Sequence, residues 1–378
     1  MRILQVTTMY YPEMKFGGPP LKIHSISRGL VSLGHEVRVV TMYSEKRSCS
    51  GDTQVEGIPV RYLPWLGWGT RQFPLRRRSL EEAVSASDVV HCYGLYNLLC
   101  PIAARLARNQ GRPYLVEPLG MYRPRARHRA IKGIYHRLFT HRMLQGAVRV
   151  VANSSAELDD LQGTAPREKL ILRRNGINVA DYQDLPPAAE FRERFQVQAG
   201  EKVTLFIGRI SPIKNLEALV RAFHAAALPG HRLFLVGPLT EPHYAATLRS
   251  LIESLGLSKQ VHLPGIMVGR EKLAALAAAD IFVMPSLYES FGNAAAEAVA
   301  AGVPVLLTKE CGLAPVVDGR AGLAVGTAVA ALDGGLRRLH DPSERAKLTA
   351  RRGEVLQELS WEEPLRQMDE LYRSLAKG

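Results

Sequence analysis

Several features that mark whole classes of protein are missing from this sequence of 378 residues. No uncharged apolar run reaches the roughly 18 residues that a membrane-spanning helix requires. The four cysteines include no Cys-x-x-Cys pair, which argues against a disulfide framework and against a zinc site. The first residues become polar too early for a signal peptide. We therefore expect a protein of the reducing cytoplasm, not a secreted, zinc-finger or integral membrane protein.

Acidic residues are scarce in the first half of the chain. The formal net charge is +13, and residues 1–189 hold 27 Lys and Arg against 15 Asp and Glu. Residues 118–156 contain eight basic residues and no acidic one. This bias favours an anionic partner, either nucleic acid or an anionic membrane surface. Because no nucleic-acid recognition motif accompanies the charge, we expect no nucleic-acid partner.

Short, continuous apolar runs alternate with helical stretches along the chain. This pattern is typical of parallel strands that are buried on both faces, and it predicts an α/β fold. The predicted strands of the first half are 2–8, 37–41, 59–63, 89–91, 114–117 and 149–153. Those of the second half are 203–208, 232–237, 261–263, 281–285 and 303–308. Helices are predicted between many of them, for example at 21–33, 216–227 and 271–279.

A polar, proline-rich segment at residues 181–187 divides the chain. We predict two Rossmann-like domains, at residues 1–183 and 190–360, whose parallel sheets face a central cleft. An amphipathic helix at residues 361–376 is expected to pack back on the first domain.

Ligands of open parallel sheets bind at the carboxyl ends of the strands, and a first motif follows the strand at 203–208. Arg209 and Lys214 flank the expected start of a helix near Asn215. The helix dipole disfavours each cation by about 0.3–1 kcal/mol. An anion bound between the two cations would make the electrostatic energy of this helix end favourable. A diphosphate fits this pattern, and two solvated surface cations are the alternative.

A second motif, at residues 285–297, follows the strand at 281–285. Glu289 lies in the loop, Gly292 allows a ligand to approach the backbone closely, and Glu297 falls in an Ala-rich helix. A carboxylate on such a closely packed helix needs partners, and two vicinal sugar hydroxyls would supply donors. The alternative is one solvated glutamate and one that the helix dipole favours.

A third motif is the glycine turn Gly17-Gly18, which follows the first strand and precedes the helix at 21–33. It is neither a GxGxxG sequence nor a Walker A loop, so nicotinamide-dinucleotide and P-loop functions lose support. A plain connecting loop is the alternative explanation.

Together these motifs resemble those of retaining, nucleotide-sugar-dependent glycosyltransferases of the GT-B fold, in the family-four group of mannosyl- and glucosyltransferases. The resemblance spans nearly the whole chain, and it implies that the first domain binds the acceptor and the second domain binds the nucleotide sugar. Its most specific parts are the Arg209 and Lys214 motif and the two glutamates eight residues apart. Its weaker parts are Gly17-Gly18, Gly34-His35-Glu36-Val37, Asn153-Ser154-Ser155-Ala156-Glu157 and Asn175-Gly176-Ile177.

The resemblance implies that Arg209, Lys214 and Glu289 are the catalytic residues, with the two cations on the donor diphosphate and Glu289 on the donor sugar. Glu297 would hold the ribose hydroxyls, and Ile266 would bracket the base. Backbone N–H groups after Phe291 would contact the sugar or the phosphate. The full implied donor-binding set is Gly17, Gly18, Ile266, Phe291, Gly292, Asn293 and Glu297.

The resemblance also implies retention of the anomeric configuration through a short-lived ion pair. In that mechanism a donor phosphate oxygen accepts the acceptor's proton. Some glycosyltransferases neutralise the leaving diphosphate with a metal held by an Asp-x-Asp motif, and this sequence contains none. Because two fixed cations and a helix dipole can supply the same stabilisation, we predict catalysis without a metal. No cofactor is expected beyond a UDP- or GDP-sugar co-substrate.

The sequence departs from the family pattern at two positions. Leu119 stands where many relatives have a histidine that precedes a glycine, and Asn178 stands where the family usually has aspartate. The first change affects how the donor sugar is held on the acceptor side. His91, at the end of a predicted strand, could substitute in part, or it could be an ordinary core or solvated histidine.

The basic block at residues 121–142 is expected to form an amphipathic helix. Such a helix can lie on an anionic lipid surface, which predicts peripheral association with the inner face of the membrane and a lipid-linked or oligosaccharide acceptor. The alternative is a packed helix with a solvated basic face. The residues assigned to this acceptor or membrane face are His91, Arg123, Arg125, Arg127, Arg129 and Lys132.

The function expected from the sequence is hexose transfer in the synthesis of a bacterial surface polysaccharide. Two alternatives stay open at this point. One is a glycosyltransferase that acts on a soluble small molecule, and the other is a catalytically silent scaffold that binds sugar nucleotides. Slow hydrolysis of the donor without an acceptor would separate an enzyme from a scaffold.

Overall fold

The computed structural model describes residues 1–13, 18–42, 51–68, 71–122, 135–239 and 241–375. The chain forms two compact units, one of Met1–Asn175 with Trp361–Gly378 and the other of Gly176–Ser360. Residues 176–183, which the sequence analysis assigned to the first domain, therefore lie in the second unit. The Ile177 N–H donates to the carbonyl oxygen of Leu359 at 2.7 Å and ties this segment to the end of the same unit.

The first unit contains an eight-stranded sheet and a separate two-stranded hairpin. The strands are β1 (Arg2–Val6), β2 (Glu36–Thr41), β3 (Gly51–Val55), β4 (Ile58–Tyr62), β5 (Trp65–Trp68), β6 (Arg71–Pro74), β7 (Val89–Tyr93), β8 (Tyr114–Glu117), β9 (Arg149–Ala152) and β10 (Leu170–Leu172). The order in the large sheet is β10-β9-β8-β7-β1-β2-β4-β3, and β5 pairs with β6. The pairs of the large sheet are parallel, apart from the antiparallel pair of β3 with β4.

The second unit contains a six-stranded parallel sheet. Its strands are β11 (Lys202–Ile207), β12 (His231–Val236), β13 (Val261–Gly265), β14 (Ile281–Met284), β15 (Val305–Thr308) and β16 (Gly322–Val325). The order is β13-β12-β11-β14-β15-β16. Strands β14 and β15 are buried along their whole length. Continuous apolar strands covered on both faces were predicted from the sequence, and the α/β fold is confirmed.

Helices cover the sheets of both units. Those of the first unit are α1 (Pro19–Ser32), α2 (Arg77–Ser85), α3 (Leu99–Asn109), α4 (His141–Gly146), α5 (Ser155–Leu161) and α15 (Glu362–Leu375), with a π-helical segment at His136–Thr140. Those of the second are α6 (Ala188–Arg194), α7 (Leu216–Ala226), α8 (Pro242–Ser254), α9 (Gly269–Ala278), α10 (Asn293–Ala300), α11 (Ala314–Val317), α12 (Val329–His340), α13 (Pro342–Thr349) and α14 (Arg352–Leu359). Short 3₁₀ helices lie at Arg167–Lys169, Val179–Tyr182 and Pro212–Lys214.

The C-terminal helix α15 belongs to the core of the first unit. Met368 and Tyr372 are buried there among apolar side chains of the central strands. The His35 ring also contacts Asp369, with 2.7 Å between Nε2 and Oδ1. A Cβ atom on Gly29 of α1 would lie 2.3 Å from the end of the Leu365 side chain, so a larger residue there would force that side chain to shift.

A buried ionic cluster joins the carboxyl ends of several strands in the first unit. It consists of Lys22, His91, Glu117, Asn153 and Arg173, all of which are buried. The Lys22 ammonium donates to both Glu117 and Asn153, and Arg173 Nη2 donates to Glu117 Oε2 at 2.8 Å. Burial alone would raise the pKa of Glu117, but Arg173 and Lys22 outweigh it and lower that pKa to about 2. The cluster therefore holds an ionised carboxylate between two cations away from water.

Candidate active site

Three strands of the second unit end side by side at one edge of the sheet. The Gly208 N–H donates to the carbonyl oxygen of Val236, and the Gly237 N–H donates to that of Gly265, at 2.9 and 2.8 Å. A Cβ atom on Gly237 would lie 1.9 Å from the Gly208 carbonyl oxygen, so a side chain there would force the strands apart. The loops after β11, β12 and β13 therefore begin together, where a parallel sheet binds ligands.

The loop after β11 carries the two predicted cations. Arg209 is exposed and has no ion-pair partner among the residues that the structure describes. Lys214 ends the 3₁₀ helix Pro212–Lys214 and is largely buried. Asn215 then adopts a left-handed conformation, with φ of 56°, and its side chain donates to the Thr327 carbonyl oxygen at 3.0 Å. Helix α7 begins at the next residue, as the sequence predicted.

Lys214 is not a free cation, because its ammonium group forms an ion pair with the carboxylate of Glu289. The two loops also share a backbone hydrogen bond, from the Leu287 N–H to the Ile213 carbonyl oxygen at 2.8 Å. The structure thus brings together two residues that lie 75 positions apart in sequence. The resemblance implies that Lys214 lies on a diphosphate and Glu289 on a sugar, and nothing in the sequence indicates that the two side chains contact each other.

The turn before α10 is held tightly by the strand-end loops. Gly292 has a φ of 101°, and a Cβ atom there would lie 2.7 Å from the sulfur of Cys311. Its conformation and its surroundings therefore both require glycine. Phe291 is buried in the core of the unit, so only its backbone is available to a ligand. Asn293 is the first residue of α10, whose N-terminal end favours anions.

Glu297 lies in the second turn of α10 and is only 9% exposed. Its Oε2 atom accepts a hydrogen bond from Lys272 Nζ of α9 at 3.0 Å. Tyr182 lies beside the same carboxylate, and burial together with Glu297 raises the pKa of Tyr182 well above its ordinary value. The protein therefore supplies partners on one side of this carboxylate, which the sequence analysis had assigned to sugar hydroxyls alone.

Lys272 and Tyr182 lie against Glu297 in the candidate site and were not predicted from the sequence. No spacing relates Lys272 to Glu297, since they lie 25 positions apart on different helices. Tyr182 falls in the polar segment that was interpreted as a linker. Ile266, which the sequence analysis named, lies in the loop after β13 and is exposed together with its neighbour Val268. These two apolar side chains offer a surface on which a planar base can pack.

In the first unit, Gly18 is the residue that precedes α1, and Gly17 lies outside the described residues. The residues Arg123, Arg125, Arg127, Arg129 and Lys132 also lie outside the described residues. Leu119 is described, and it adopts a left-handed conformation with φ of 58°. The Gly120 N–H that follows donates to the buried carboxylate of Glu157, which holds the loop in place. A left-handed leucine costs about 1–2 kcal/mol.

His91 is wholly buried, so it cannot contact an acceptor or a membrane surface. Its Nδ1 atom lies 2.7 Å from the hydroxyl oxygen of Tyr372, and its Nε2 atom lies 3.7 Å from Glu117. Its assignment to the acceptor face was wrong, and the alternative of an ordinary core histidine is correct. The reason is that helix α15, at the C-terminal end of the chain, covers the His91 ring.

His91 should make stability depend on pH. Burial lowers its pKa to about 3, so the ring stays neutral in the folded protein. The unfolded chain binds a proton below about pH 6.5, so the free energy of unfolding should decrease as the pH falls from 6.5 toward 3. The contribution is up to about 1.4 kcal/mol per pH unit. Urea denaturation of the wild type and of His91→Gln between pH 5 and 7 measures it.

The matched control for this experiment is His224→Gln, because His224 is exposed on α7. The His91 variant should lose part of the pH slope, whereas the His224 variant should keep the slope of the wild type. Equal slopes in the wild type and in His91→Gln would contradict the assignment of a neutral, buried ring.

The fold is that of GT-B glycosyltransferases. The Anabaena protein HepE, solved in complex with UDP and glucose, superposes with a TM-score of 0.80 at 20% identity over 99% of this chain and 100% of that one. Sucrose-phosphate synthase from Thermosynechococcus elongatus superposes with a TM-score of 0.78 at 22% identity over 99% and 98% of the two chains. At these identities the likeness concerns the fold.

Sequence comparison gives the family. Residues 188–353 match the family described as Glycosyl transferases group 1, and residues 17–176 match the Glycosyl transferase 4-like domain. A D-inositol 3-phosphate glycosyltransferase of Mycobacteroides abscessus is 31% identical over 322 residues, which are 76% of this chain and 69% of the relative. An uncharacterized glycosyltransferase of Methanocaldococcus jannaschii is 28% identical over 84% of this chain and 83% of its own.

The chain therefore belongs to the family-four-like glycosyltransferases of group 1. It is an enzyme that uses a nucleoside-diphosphate sugar, as the resemblance implied.

Proposed function

We propose that this protein transfers a hexose from a UDP- or GDP-sugar to a lipid-linked or oligosaccharide acceptor, with retention of configuration and without a metal. The reaction would serve the synthesis of a bacterial surface polysaccharide in the cytoplasm, at the inner face of the membrane. The observation that carries the donor part is the grouping of Arg209, the Lys214–Glu289 pair and Glu297 around the loops at one edge of the second unit's sheet.

The charge of Arg209, which has no ion-pair partner in the described part of the chain, supports a diphosphate site. Arg209 precedes the positive end of the α7 dipole, where its charge is unfavourable until an anion joins it. A diphosphate would bring that anion and would compete with Glu289 for the ammonium group of Lys214. The released Glu289 carboxylate would then be available to a hydroxyl of the donor sugar.

The surroundings of Glu297 support a ribose site. A carboxylate has about four lone-pair positions, and Lys272 donates to one of its oxygens. The remaining positions can accept hydrogen bonds from two vicinal hydroxyls. Because Lys272 fixes the carboxylate in place before the ligand arrives, little ordering is needed on binding. The exposed side chains of Ile266 and Val268 would pack against the base.

The proposed reaction follows from these contacts with the donor. The bond between the anomeric carbon and the diphosphate oxygen breaks, and the negative charge that develops on the diphosphate is stabilised by Arg209, Lys214 and the α7 dipole. The acceptor hydroxyl attacks from the same face, and its proton passes to a donor phosphate oxygen. The new glycosidic bond keeps the donor's configuration, and no side chain has to act as a nucleophile.

The proposed membrane location rests on the basic block. The structure describes its last part, in which Leu138 and Phe139 are exposed instead of packed in the core. Exposed apolar residues inside a strongly basic segment are typical of a surface that meets anionic lipid. A lipid-linked acceptor would be presented to the enzyme there. No helix among the described residues is long and apolar enough to cross a bilayer.

A soluble acceptor is the second candidate. The Mycobacteroides abscessus relative is named for transfer to D-inositol 3-phosphate, which is a small, water-soluble acceptor. An enzyme of that kind would be active on a free sugar or polyol acceptor without any lipid, and this separates it from the first candidate.

Donor binding should raise the midpoint of thermal unfolding. In a panel of UDP-, GDP- and ADP-sugars at about 100 times Kd, the matching donor should stabilise the protein by about 2.7 kcal/mol. Glu297→Gln should lose most of this shift, because the neutral amide accepts fewer hydrogen bonds from the ribose. Differential scanning fluorimetry measures both effects.

The control is Glu253→Gln, which changes an exposed glutamate of α8 in the same unit and should keep the full shift. If no nucleotide sugar stabilises the wild type, the proposed donor site is wrong. Once the donor is known, NMR of the product reports whether the anomeric configuration is kept. Activity that EDTA abolishes and a divalent cation restores would contradict the metal-free mechanism.

A further inference from the structure

The hairpin β5–β6 has apolar side chains on its outer face. In its antiparallel register Leu66 faces Phe73, and Trp65 faces Pro74. Trp65 packs against the core of the first unit, and Pro74 is buried. Side chains alternate between the two faces of a strand, so the neighbouring pair points outward. Leu66 is 64% exposed and Phe73 is 54% exposed.

This pair is unusual for a protein surface. Exposed strand faces normally carry polar residues, while the inner face packs on the core. Here the outward Leu66–Phe73 pair is apolar like the inward Trp65–Pro74 pair, and Leu66 has the highest exposure among the large apolar side chains that the structure describes. A short, two-stranded hairpin gains little stability from such residues while they remain in water. The exposed pair is therefore better explained by an apolar environment outside the protein.

Three arginines follow the hairpin directly. Arg76, Arg77 and Arg78 are all exposed, and they occupy the start of α2, whose first turn contains no acidic residue. Arg78 lies 3.4 Å from Glu82, one turn further along the helix. Arg76 and Arg77 have no ion-pair partner within the described part of the chain. Cations at this end oppose the helix dipole, so an anion beside them would be stabilising.

We propose that the β5–β6 hairpin and Arg76–Arg78 form a membrane-contact surface for an anionic bilayer. Leu66 and Phe73 enter the boundary between headgroups and acyl chains, and the arginines bind lipid phosphates. Guanidinium groups pair with phosphate oxygens through two hydrogen bonds, and aromatic residues favour the membrane interface. The inference rests on the proposed membrane location and goes beyond it, because it assigns the contact to a segment outside the basic block.

The size and chemistry of this surface favour lipid over a protein partner. A specific protein interface needs about 800 Å² on each side, whereas the exposed apolar part of the hairpin is one cross-strand pair. Membrane insertion requires only a few apolar side chains if cationic residues stand beside them. The sequence of residues 71–80 has four arginines and no acidic residue, which complements an anionic headgroup layer.

The test compares sedimentation of the full chain with vesicles of phosphatidylglycerol and phosphatidylcholine (1:1) and with vesicles of phosphatidylcholine alone. The wild type should bind the anionic vesicles at low salt and dissociate from them at high salt. The L66S/F73S double variant should lose about tenfold or more in partition coefficient, and R76Q/R77Q should lose binding at low salt. The control V31S/L33S replaces two exposed apolar residues at the end of α1 and should bind like the wild type.

Fluorescence gives a second readout that loss of folding cannot imitate. Two of the three tryptophans, Trp65 and Trp68, lie in the hairpin. Brominated lipid in the anionic vesicles should quench their emission in the wild type, and L66S/F73S should show much weaker quenching at equal thermal stability. Hexose transfer to a soluble acceptor should be unchanged in that variant, which separates membrane contact from catalysis.

Each other outcome has a distinct meaning. Equal binding by the wild type and L66S/F73S would overturn the assignment of the hairpin and leave the basic block as the contact. No binding by the wild type to either vesicle would overturn both the membrane location and the hairpin. A wild-type dimer that L66S/F73S converts to a monomer would show that the pair covers a second copy of the chain instead of lipid.

Discussion

Replacing Lys214 by alanine is expected to lower kcat by about 100- to 1,000-fold while the protein remains folded. The ammonium group has a carboxylate partner in the free enzyme, Glu289, and it is largely buried. When the diphosphate leaves, this charge stabilises the transition state more than the ground state, so its loss acts on the chemical step. Steady-state kinetics with the donor identified by thermal shift measures the change.

The matched control for Lys214→Ala is Lys202→Ala. Lys202 also forms an ion pair in the second unit, with 3.0 Å between its Nζ atom and Asp280 Oδ1, but it lies at the first residue of β11. It is therefore at the amino end of a strand whose carboxyl end leads into the site, and its removal should leave kcat within about twofold. Near-normal turnover by the Lys214 variant would refute its role at the diphosphate.

Replacing Glu117 by glutamine should destabilise the first unit by about 3–5 kcal/mol. The carboxylate lies between Lys22 and Arg173, and all three side chains are almost completely buried. Without the negative charge, two cations would remain in a medium that solvates them poorly. Urea denaturation, followed by circular dichroism, measures the loss of stability.

The control is Asp88→Asn, which breaks the exposed ion pair with Arg2, whose atoms are 2.6 Å apart. Because water solvates both partners there, the loss of stability should be much smaller than that of Glu117→Gln. Equal destabilisation by the two substitutions would contradict the view that burial makes the Glu117 cluster important. In the wild type the stabilisation from ionised Glu117 should be present above about pH 4.5 and should be lost as the pH falls toward 2.

The parts of the fold that could be predicted are those in which the local pattern and the tertiary environment agree. Strand Tyr114–Glu117 has its predicted bounds, and the other predicted strands agree within two residues. Short apolar runs that alternate with longer helical stretches are typical of parallel strands buried on both faces. The strand Gly51–Val55 was missed, because its residues are polar and mostly exposed. Only its pairing with β4 makes it a strand, and that pairing leaves no signal in its own sequence.

In the candidate site, too, features with a local sequence signal could be predicted and features that depend on tertiary packing could not. Arg209, Lys214, Glu289 and Glu297 could be proposed from the sequence because strand ends and helix starts can be located along the chain. The partner of Glu297 on α9 could not be found, since it depends on how two helices pack side by side. His91 was misplaced for a similar reason, because the helix that covers it comes 281 positions later in the sequence.

The route of the chain through the first unit has a consequence for its synthesis. The core of that unit is completed by Met368 and Tyr372, which are translated only after the whole of the second unit. The second unit is a single contiguous segment of the chain, so it can fold during translation. Residues 1–175 are synthesised first, but part of their apolar core stays uncovered until helix α15 has been synthesised. The second unit can therefore complete its fold before the first. This reverses the usual order, in which the N-terminal domain folds first. A nascent chain halted at residue 360 would therefore be the species most in need of a chaperone.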